Sequence, residues 1–267
     1  TSNIPLSMIN SDLRLKIVHL IANAKEGHIP SSFSVVDIIN FVFEKQLNIN
    51  KRNINSSKRD YFILSKGHSA AALYVVLNKF KILKDKHLLG YGKSKGILGG
   101  HPETTKTPGV EASTGSLGHG FPYAVGIALG LKLSKKKNKV ITLIGDGECH
   151  EGTIWEAANI AVNQNLNNLT VIVDRNESAI QLMKIENLEK KWKAFGWDVI
   201  VADGHSKKSL VKAFKKIKFS SKPKIIIADT VKGKGVSFLE GHGAWHHKIP
   251  NKEELKLIEK ELGKSNL

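Results

Sequence analysis

The stretches KVITLIGDGE (139–148) and LTVIVDRN (169–176) decide how this chain folds. Each is a short apolar run, rich in β-branched residues, that ends in turn-forming or polar residues, which is typical of a buried strand in a parallel sheet. Between them, residues 152–163 carry apolar side chains at helical spacing: Ile154, Trp155, Ala158 and Val162. The two stretches and the segment between them therefore predict a strand–helix–strand unit.

The polar residues at the ends of these strands predict a metal and phosphate site. The carboxyl ends of neighbouring parallel strands open on one edge of the sheet, where ligands bind, so we expect Asp146 and Asn176 to come together there. Their carboxylate and amide oxygens are ligands that Mg²⁺ takes, with phosphate oxygens completing the coordination. Gly145 and Gly147 let the backbone approach a ligand closely, and the following helix offers free N–H groups to a diphosphate.

The rest of the chain predicts an α/β fold, a doubly wound, mainly parallel sheet flanked by helices, in one domain that spans residues 1–267. Further buried strands are predicted at 61–64, 197–202 and 224–229. Helices are predicted at 7–25, about 34–46, 70–77, about 118–133, 184–195 and 209–218, with a short charged helix and tail at 251–267. The segments 90–116 and 230–250 are predicted loops. A loop as long as 90–116 in a compact domain is usually functional or disordered.

The length and composition suffice for one large α/β domain or two small ones, and the chain has a strong positive charge. The 267 residues include 41 Lys and Arg against 24 Asp and Glu, a net charge of +17, and 41% are hydrophobic. A nucleic-acid partner is one explanation of this charge. The lysines are scattered, however, and the densest groups, 135–137 and 215–218, fall at predicted helix ends, where cations suit the helix dipole. We therefore predict no nucleic-acid partner and expect the charge to attract anionic phosphates.

The sequence carries no mark of a membrane or secreted protein. No apolar run approaches the ~18 residues that span a bilayer, and no secretory signal is visible. The single cysteine, Cys149, excludes an internal disulfide and indicates a reducing compartment. Nothing in the sequence marks a base that would make Cys149 a nucleophile, so packing beside a cofactor is favoured. We predict a cytoplasmic protein with no membrane partner.

Two groups of side chains allow a second interpretation. Aromatic residues with lysines near them, a pattern that can stack on nucleic-acid bases, are Trp192, Phe195 and Trp197. Their spacing fits one helix face and the next strand, so core packing is favoured. Three histidines that indicate a zinc site at first sight are His242, His246 and His247. No Cys or acidic cluster stands at matching spacing, so the zinc site is the weaker interpretation.

Several motifs, in order along the chain, resemble the transketolase family. They are Gly27-His28, LSKGHSAA (64–71), GGHPE (99–103), GVEASTGSLGHG (109–120) and GDGECHEG (145–152) followed by Trp155-Glu-Ala. A segment that begins Gly-Asp-Gly after a strand and ends at an Asn after the next strand resembles the diphosphate-anchoring motif of thiamine-diphosphate enzymes. The resemblance runs from about Asp12 to Pro250. It implies the diphosphate-binding, PP-type domain of the thiamine-diphosphate-binding fold.

The resemblance also implies the site residues. Those implied to bind thiamine diphosphate are His68, Gly115, Ser116, Leu117, Gly145, Asp146, Gly147, Glu148, Asn176 and His246. Those implied to hold Mg²⁺, or another divalent cation such as Ca²⁺ or Mn²⁺, are Asp146, Asn176 and, through its carbonyl, Ser178. Those implied to be catalytic are His28, His68, His101 and Glu151. The three imidazoles would exchange protons with substrate oxygens.

Two of these residues carry an open question. Glu151 would either cap the following helix, where a carboxylate is favoured, or, as the resemblance implies, lie at the subunit boundary and link two cofactor sites. His246 aligns with a diphosphate-binding His that a Gly normally follows, whereas this chain has His247 in that place. The role of His247 therefore stays open.

The function implied by the resemblance is that of a transketolase subunit, which transfers a two-carbon ketol unit from a ketose or ketose phosphate to an aldose or aldose phosphate. The pyrimidine-binding domain of the family has no counterpart in this sequence. We therefore expect a C-terminal transketolase subunit on a separate chain, in an α2β2 heterotetramer that is active only when assembled. Two alternatives are the α subunit of a 2-oxo acid dehydrogenase or decarboxylase, and a non-catalytic basic binding protein. The motif histidines favour the transketolase, and the sugars stay unnamed.

Overall fold

The centre of the structure is a five-stranded sheet. The structure, a computed structural model, describes residues 10–181, 183–241, 245 and 247–264. The strands of these residues are β1 Tyr61–Leu64, β2 Val140–Gly145, β3 Leu169–Arg175, β4 Asp198–Asp203 and β5 Lys224–Asp229. Their order is β1-β2-β3-β5-β4, and every neighbouring pair is parallel. The predicted parallel sheet is confirmed.

Helices cover the sheet. Those within the described residues are α1 Ser11–Ala24, α2 Ile29–Lys45, α3 Ala70–Lys79, α4 Asp85–Leu89, α5 Gly120–Leu133, α6 Gly152–Asn163, α7 Leu188–Ala194, α8 Lys207–Ile217 and α9 Lys252–Lys264. Among these helices, none has the length and apolar character needed to cross a membrane.

The core lies on both faces of the sheet. All residues of β2 are buried, as are nearly all those of β3, because helices cover both of their faces. Alternate side chains of one strand point to opposite faces, so Ile172 packs in one apolar cluster with α1 to α3, whereas Val171 and Val173 pack in the other with α5 to α7. The predicted fold class, with helices on the two faces of a parallel sheet, is therefore observed.

The structure corrects two predicted helices and adds one. α2 begins at Ile29, rather than near residue 34, because Pro30 suits a first helical turn, where its missing N–H costs no hydrogen bond. α7 is shorter than the predicted segment 184–195 because Asn187 has a left-handed backbone (φ 52°), which interrupts a helix. None of the residues of α4 is buried, so this short helix has no apolar face that would predict it.

The carboxyl ends of four neighbouring strands bring polar residues to one edge of the sheet. Lys66 follows β1, Asp146 follows β2, Asn176 follows β3 and Thr230 follows β5. The parallel register pairs Gly145 with Asp174, so the ends of β2 and β3 lie side by side. The edge that the sequence predicts as a ligand site is therefore the edge at which these polar residues meet.

Candidate functional site

Asp146 lies at the predicted place, directly after β2. Its carboxylate accepts hydrogen bonds from the N–H groups of Gly147 (2.7 Å) and Glu177 (2.6 Å). Its own N–H donates to the carbonyl oxygen of Asp174 (3.1 Å), and only 8% of the residue is exposed. Burial and, after it, the charge of Asp174 raise the pKa of the Asp146 carboxyl. A cation beside this carboxylate would offset both effects.

A buried set of polar side chains, which we call the aspartate cluster, surrounds Asp174. Its members are Ser34, Lys66, Asp174, Asn176 and Thr230. The Asp174 carboxylate accepts hydrogen bonds from the Ser34 hydroxyl (2.8 Å) and the Asn176 amide (2.7 Å). It also accepts from the Thr230 hydroxyl and forms an ion pair with Lys66. Lys66 is 1% exposed and Asp174 is fully buried, so this pair is shielded from water.

The aspartate cluster holds Asp174 ionised. Burial alone raises the pKa of this carboxyl, but the ammonium group of Lys66 and the hydroxyl donors outweigh burial and hold the pKa below its ordinary value. Three of the four donor groups, on Ser34, Lys66 and Asn176, converge on Oδ2 of this carboxylate, and the hydroxyl of Thr230 donates to Oδ1. Both oxygens of Asp174 therefore accept from the protein, and the carboxylate orients its neighbours.

The hydrogen bonds of Asn176 fix which way its amide points. The NH₂ group donates to Asp174, and the carbonyl oxygen accepts from the N–H of Ser178 (2.9 Å). Asp174 as a carboxylate only accepts and a backbone N–H only donates, so the reverse orientation would lose both bonds. The carbonyl oxygen of Asn176 keeps a second lone pair. The amide thus has the orientation that a metal ligand requires.

Glu148 joins three segments around the Gly-Asp-Gly turn. Its carboxylate accepts hydrogen bonds from the hydroxyl of Ser65 and from the N–H groups of Gly118 (3.0 Å) and Gly145 (3.1 Å). Burial raises the pKa of the Glu148 carboxyl, since the residue is only 1% exposed. Sequence reasoning gives Glu148 a role in binding the cofactor, and the structure adds this structural contact. The role in binding stays a prediction.

The predicted cofactor loop lies against the turn that follows β1. A Cβ atom on Gly67 would stand 2.7 Å from the backbone of Thr114 and Gly115, so only glycine permits this approach. The hydroxyl of Thr114 donates to the carbonyl oxygen of Leu64 (2.7 Å). A Cβ atom on Gly115 would stand 3.0 Å from the ring of His101. This packing places Gly115, which precedes the other predicted cofactor residues Ser116 and Leu117, beside His101.

Four imidazoles, which we call the histidine cluster, meet next to this loop. The members are His28, His68, His101 and His247. The ring centroid of His28 lies 5.5 Å from that of His68, 6.3 Å from that of His101 and 4.6 Å from that of His247. His101 and His247 are exposed, and the other two are half-buried. The structure therefore brings together the three predicted catalytic histidines and adds His247 to them.

Lys232 is a polar residue of the site that sequence reasoning did not select. Its ammonium group donates to the hydroxyl of Ser178 (2.6 Å), and the residue is 5% exposed. Burial and, after it, the charge of Lys66 lower the pKa of the Lys232 ammonium. The one signal in the sequence was a lysine three residues after the predicted strand 224–229 and directly before Gly233. Ser178, the predicted third metal ligand, lies two residues after Asn176, and its hydroxyl accepts the hydrogen bond from Lys232.

A second buried network anchors the loop that carries Lys232. Arg14 forms an ion pair with Asp37 (2.6 Å) and donates through Nε to the carbonyl oxygen of Lys234 (2.7 Å). His205 contacts Asp37 through Nδ1 (2.7 Å) and accepts from the N–H of Val231 through Nε2 (3.0 Å). Burial raises the pKa of the Asp37 carboxyl, but Arg14 and His205 outweigh it and lower the pKa to about 2. The loop 230–235 is therefore fixed to α1 and α2.

Cys149, Trp192 and Trp197, for which the sequence favours packing over a reactive or base-stacking role, are buried. Cys149 is 1% exposed, and its burial raises the pKa of the thiol, which disfavours a nucleophile. Trp192 and Trp197 are buried with ring centroids 5.0 Å apart, so they form core and not a stacking surface. Within the described residues no group of three or more His, Cys, Asp or Glu side chains suits a metal ion. His242 and His246 lie outside the described residues.

Glu151 is exposed and precedes α6. Its side chain makes no capping hydrogen bond to that helix, so the structure contradicts the capping interpretation. A Cβ atom on Gly118 would stand 2.7 Å from the Cβ atom of Glu151, so Glu151 lies against the turn that begins α5. The predicted place of Glu151 at a subunit boundary stays a prediction.

The residues present suit thiamine diphosphate with a divalent cation. Hard oxygen atoms on Asp146 and Asn176 stand at one sheet edge, as Mg²⁺ ligation requires. Lys232 and the backbone N–H groups that follow the Gly-Asp-Gly turn supply positive charge and donors of the kind that bind phosphate. The tight contact at Gly67 brings the loop 113–117 over the same edge. The donor set therefore fits an anionic diphosphate held through a metal ion.

Comparisons with known proteins agree with the family that the sequence motifs resemble. A family model described as the thiamine diphosphate binding domain of transketolase matches residues 6–266. A protein of Actinobacillus succinogenes, named as one subunit of an apulose-4-phosphate transketolase, is 40% identical over 256 residues, which are 94% of this chain and 93% of that protein. The 6-deoxy-6-sulfo-D-fructose transketolase subunit SqwG of Clostridium sp. is 36% identical over 244 residues, 89% of both proteins.

A solved structure is similar over the same range. The transketolase from Campylobacter jejuni is 30% identical and superposes with a TM-score of 0.90 over 98% of this chain, which corresponds to 43% of that chain. The present chain thus spans less than half of the solved transketolase but nearly the full length of the subunits named above.

Proposed function

This chain belongs to the transketolase family through its thiamine diphosphate binding domain, and from that premise we propose the reaction, the metal and the partner that its site serves. It is a subunit of a thiamine-diphosphate-dependent transketolase. Its reaction transfers a two-carbon ketol unit from a ketose to an aldose. The comparisons favour neither a 2-oxo acid dehydrogenase nor a non-catalytic binding protein.

The meeting of Asp146 and Asn176 at the sheet edge carries this proposal. Asp146, Asn176 and the carbonyl of Ser178 hold Mg²⁺ or a similar divalent cation, and the cation binds the diphosphate of the cofactor. Two contacts support this assignment: Asp174 orients the amide of Asn176, and Lys232 contacts Ser178. His68, His246, Glu148 and the two glycines beside Asp146 complete the diphosphate site. Residues 115–117 cover the rings of the cofactor.

The histidine cluster performs the proton transfers. Thiamine diphosphate supplies the chemistry that cleaves and forms carbon–carbon bonds next to a carbonyl group. His28, His68 and His101 bind the hydroxyl and carbonyl oxygens of the sugar and give or take their protons, a task suited to imidazole near neutral pH. The ring contacts of His28 with His68 and His101 support a shared substrate site. Glu151 lies at the subunit boundary and links the two cofactor sites.

A partner subunit completes the enzyme. Relatives whose full length this chain nearly covers are themselves named as transketolase subunits, which supports a second subunit here. We assign to that partner the pyrimidine-binding domain and to this chain, as one domain, the diphosphate-binding half, in an α2β2 assembly in the cytoplasm. The pyrimidine-binding domain would hold the aminopyrimidine ring of the cofactor.

The substrates carry an acidic group at the end of the sugar chain. The named relatives act on apulose 4-phosphate and on 6-deoxy-6-sulfo-D-fructose, one a phosphate and the other a sulfo sugar. The charge of +17 on this chain favours the approach of such anions. We therefore place a ketose phosphate or sulfonate first among the donors.

The test is reconstitution with the partner subunit. The complex, supplied with thiamine diphosphate and Mg²⁺, is expected to transfer a two-carbon unit between members of a panel of ketose and aldose phosphates, while either chain alone gives negligible turnover. Activity on pyruvate without a ketose would contradict the proposal in favour of a 2-oxo acid enzyme. Robust turnover by this chain alone would contradict the need for a partner.

A further inference from the structure

His247 occupies a position in the histidine cluster that the proposed reaction does not yet use. Its ring centroid lies 4.6 Å from that of His28, nearer than the rings of His68 and His101, and the two planes are tilted by 57°. His247 is exposed, whereas His28 is half-buried. The exposed ring of His247 therefore stands beside the half-buried ring of His28.

The segment that carries His247 is anchored on both sides. Trp245 packs on Phe238, with ring centroids 5.5 Å apart, and both side chains lie against the main apolar cluster. The Lys248 ammonium lies 4.3 Å from the centre of the Trp245 ring and forms an ion pair with Glu254 in α9. These contacts anchor Trp245 and Lys248, which stand on either side of His247 in the sequence.

The chemistry of the cluster selects a polyhydroxylated ligand. Imidazole both donates and accepts hydrogen bonds, so several rings in contact can bind successive hydroxyl groups along a chain. Within the described part of the chain, no group of three or more His, Cys, Asp or Glu side chains is placed to hold a metal ion. A row of sugar hydroxyls, each beside one ring, fits the spacing of the rings.

We propose that His247 is a specificity-determining, substrate-binding residue, whose imidazole forms a hydrogen bond with the sugar hydroxyl next to the one that contacts His28. This inference rests on the proposed function and deepens it, because it names which part of the substrate this chain recognises. Sugars that place a hydroxyl at this position bind well, and those that lack it bind weakly. His247 is not needed for the proton transfers.

The first test measures binding and turnover separately, in the assembled complex loaded with thiamine diphosphate and Mg²⁺. His247→Ala is expected to raise KM for the ketose donor about tenfold, the loss of one hydrogen bond to substrate, and to change kcat less than threefold. His247→Asn, which still donates and accepts, is expected to stay within threefold of the wild type. The matched control His19→Ala, at an exposed histidine on α1, is expected to change neither constant.

The second test identifies the hydroxyl. Ketoses that each lack one hydroxyl are compared in the wild type and in His247→Ala. For one of them, the KM of the wild type is expected to be about tenfold higher than for the full ketose. In the variant the two sugars are expected to have equal KM, since the variant has already lost that hydrogen bond. A loss of equal size in both proteins for every deoxy sugar would overturn the proposal.

A third measurement separates this proposal from the proposed function. The affinity of the loaded complex for an unreactive polyol phosphate, a reduced ketose phosphate, is measured by calorimetry. It is expected to fall about tenfold in His247→Ala, while the affinity for thiamine diphosphate stays within twofold. An unchanged polyol affinity, or a parallel loss of cofactor affinity, would overturn the role of His247. A wild-type complex inactive on every ketose would refute the proposed function, and the polyol affinity would still decide the role of His247.

Discussion

The aspartate cluster and the histidine cluster lie on either side of the turn after β1, yet they are built in opposite ways. Lys66 of that turn is buried in an ion pair with Asp174, and His68, two residues later, is half-buried among other imidazoles. Both carboxylate oxygens of Asp174 accept hydrogen bonds from donors of the protein. The rings of the histidine cluster, by contrast, contact one another while two of them remain exposed.

This difference separates stability from reactivity. Buried charges are stable only when they are paired and hydrogen-bonded, so the aspartate cluster contributes by holding its neighbours in one arrangement. Exposed imidazoles contribute little to folding, and they remain accessible to a substrate. We therefore expect substitutions in the aspartate cluster to affect folding and ligand binding together, and those in the histidine cluster to affect substrate binding or turnover without affecting folding.

The largest effect is expected from Asp174→Ala. The substitution leaves the Lys66 ammonium buried without its partner, which costs about 3–5 kcal/mol of the free energy of unfolding, and it releases the amide of Asn176. Denaturant unfolding measures the loss. The double variant Lys66→Met/Asp174→Asn is expected to regain part of it, since no unpaired charge remains. A loss of less than about 1 kcal/mol in the free energy of unfolding of Asp174→Ala would contradict the stabilising role of the aspartate cluster.

Asp146→Ala tests the side of the aspartate cluster that faces the ligand. It is expected to abolish retention of thiamine diphosphate by the assembled complex, because the charged metal ligand is lost. The change in the free energy of unfolding is expected to be smaller than for Asp174→Ala, since removal of the carboxylate also removes its repulsion with Asp174. Asp203→Ala, at an exposed aspartate that ends β4 at the same sheet edge, is the control. Retention equal to that of the wild type would refute the metal assignment.

His101→Ala tests the other cluster. It is expected to lower kcat by about 10²–10⁴-fold, the usual contribution of a positioned acid or base. The free energy of unfolding is expected to change by less than about 0.5 kcal/mol, because the side chain is exposed and the hydrogen bond from Tyr74 goes to the backbone of His101. Lys106→Ala, in the same loop and also exposed, controls for the loop. A large loss of stability in His101→Ala would contradict the separation of roles.

The smallest effect is a pH dependence that extends the comparison to the network of Arg14, Asp37 and His205. The folded protein lowers the pKa of Asp37 from 3.8 to about 2. A lowered pKa stabilises the fold above pH 4, and this contribution, about 2 kcal/mol, is lost as the pH falls from 4 through 2. The wild type is thus expected to lose stability more steeply than Asp37→Asn in this window. Parallel curves for the two proteins would contradict the shift.

The sequence predicted the strands and the residues at their ends. β2 and β3 are recognisable because helices cover both faces of the sheet, which requires unbroken apolar runs. The position of Asp146 beside the end of β3 follows from the parallel register alone. The histidines were located by resemblance, and their ring contacts with His28 are consistent with the predicted grouping.

The partners of Asp174 could not be predicted from the sequence. Ser34 lies 140 positions from Asp174 and Lys66 lies 108 positions away, and no periodicity or motif relates them before the fold is known. The start of α2 was missed because a local signal was misinterpreted. Pro30 was taken as a break between two helices, whereas it lies in the first turn of α2. Lys232 stands among many lysines, and only its burial distinguishes it.

The long separations within the aspartate cluster have a consequence for how the chain matures. Its donors come from α2, the turn after β1, the end of β3 and the loop after β5, so a growing polypeptide lacks one of them, the hydroxyl of Thr230, until β5 has been synthesised. The partners that orient the amide of Asn176, by contrast, are Asp174 and Ser178, each two residues away from it. Thiamine diphosphate that is present during synthesis and binds only the folded domain would increase the fraction of folded molecules, by mass action on the folded state.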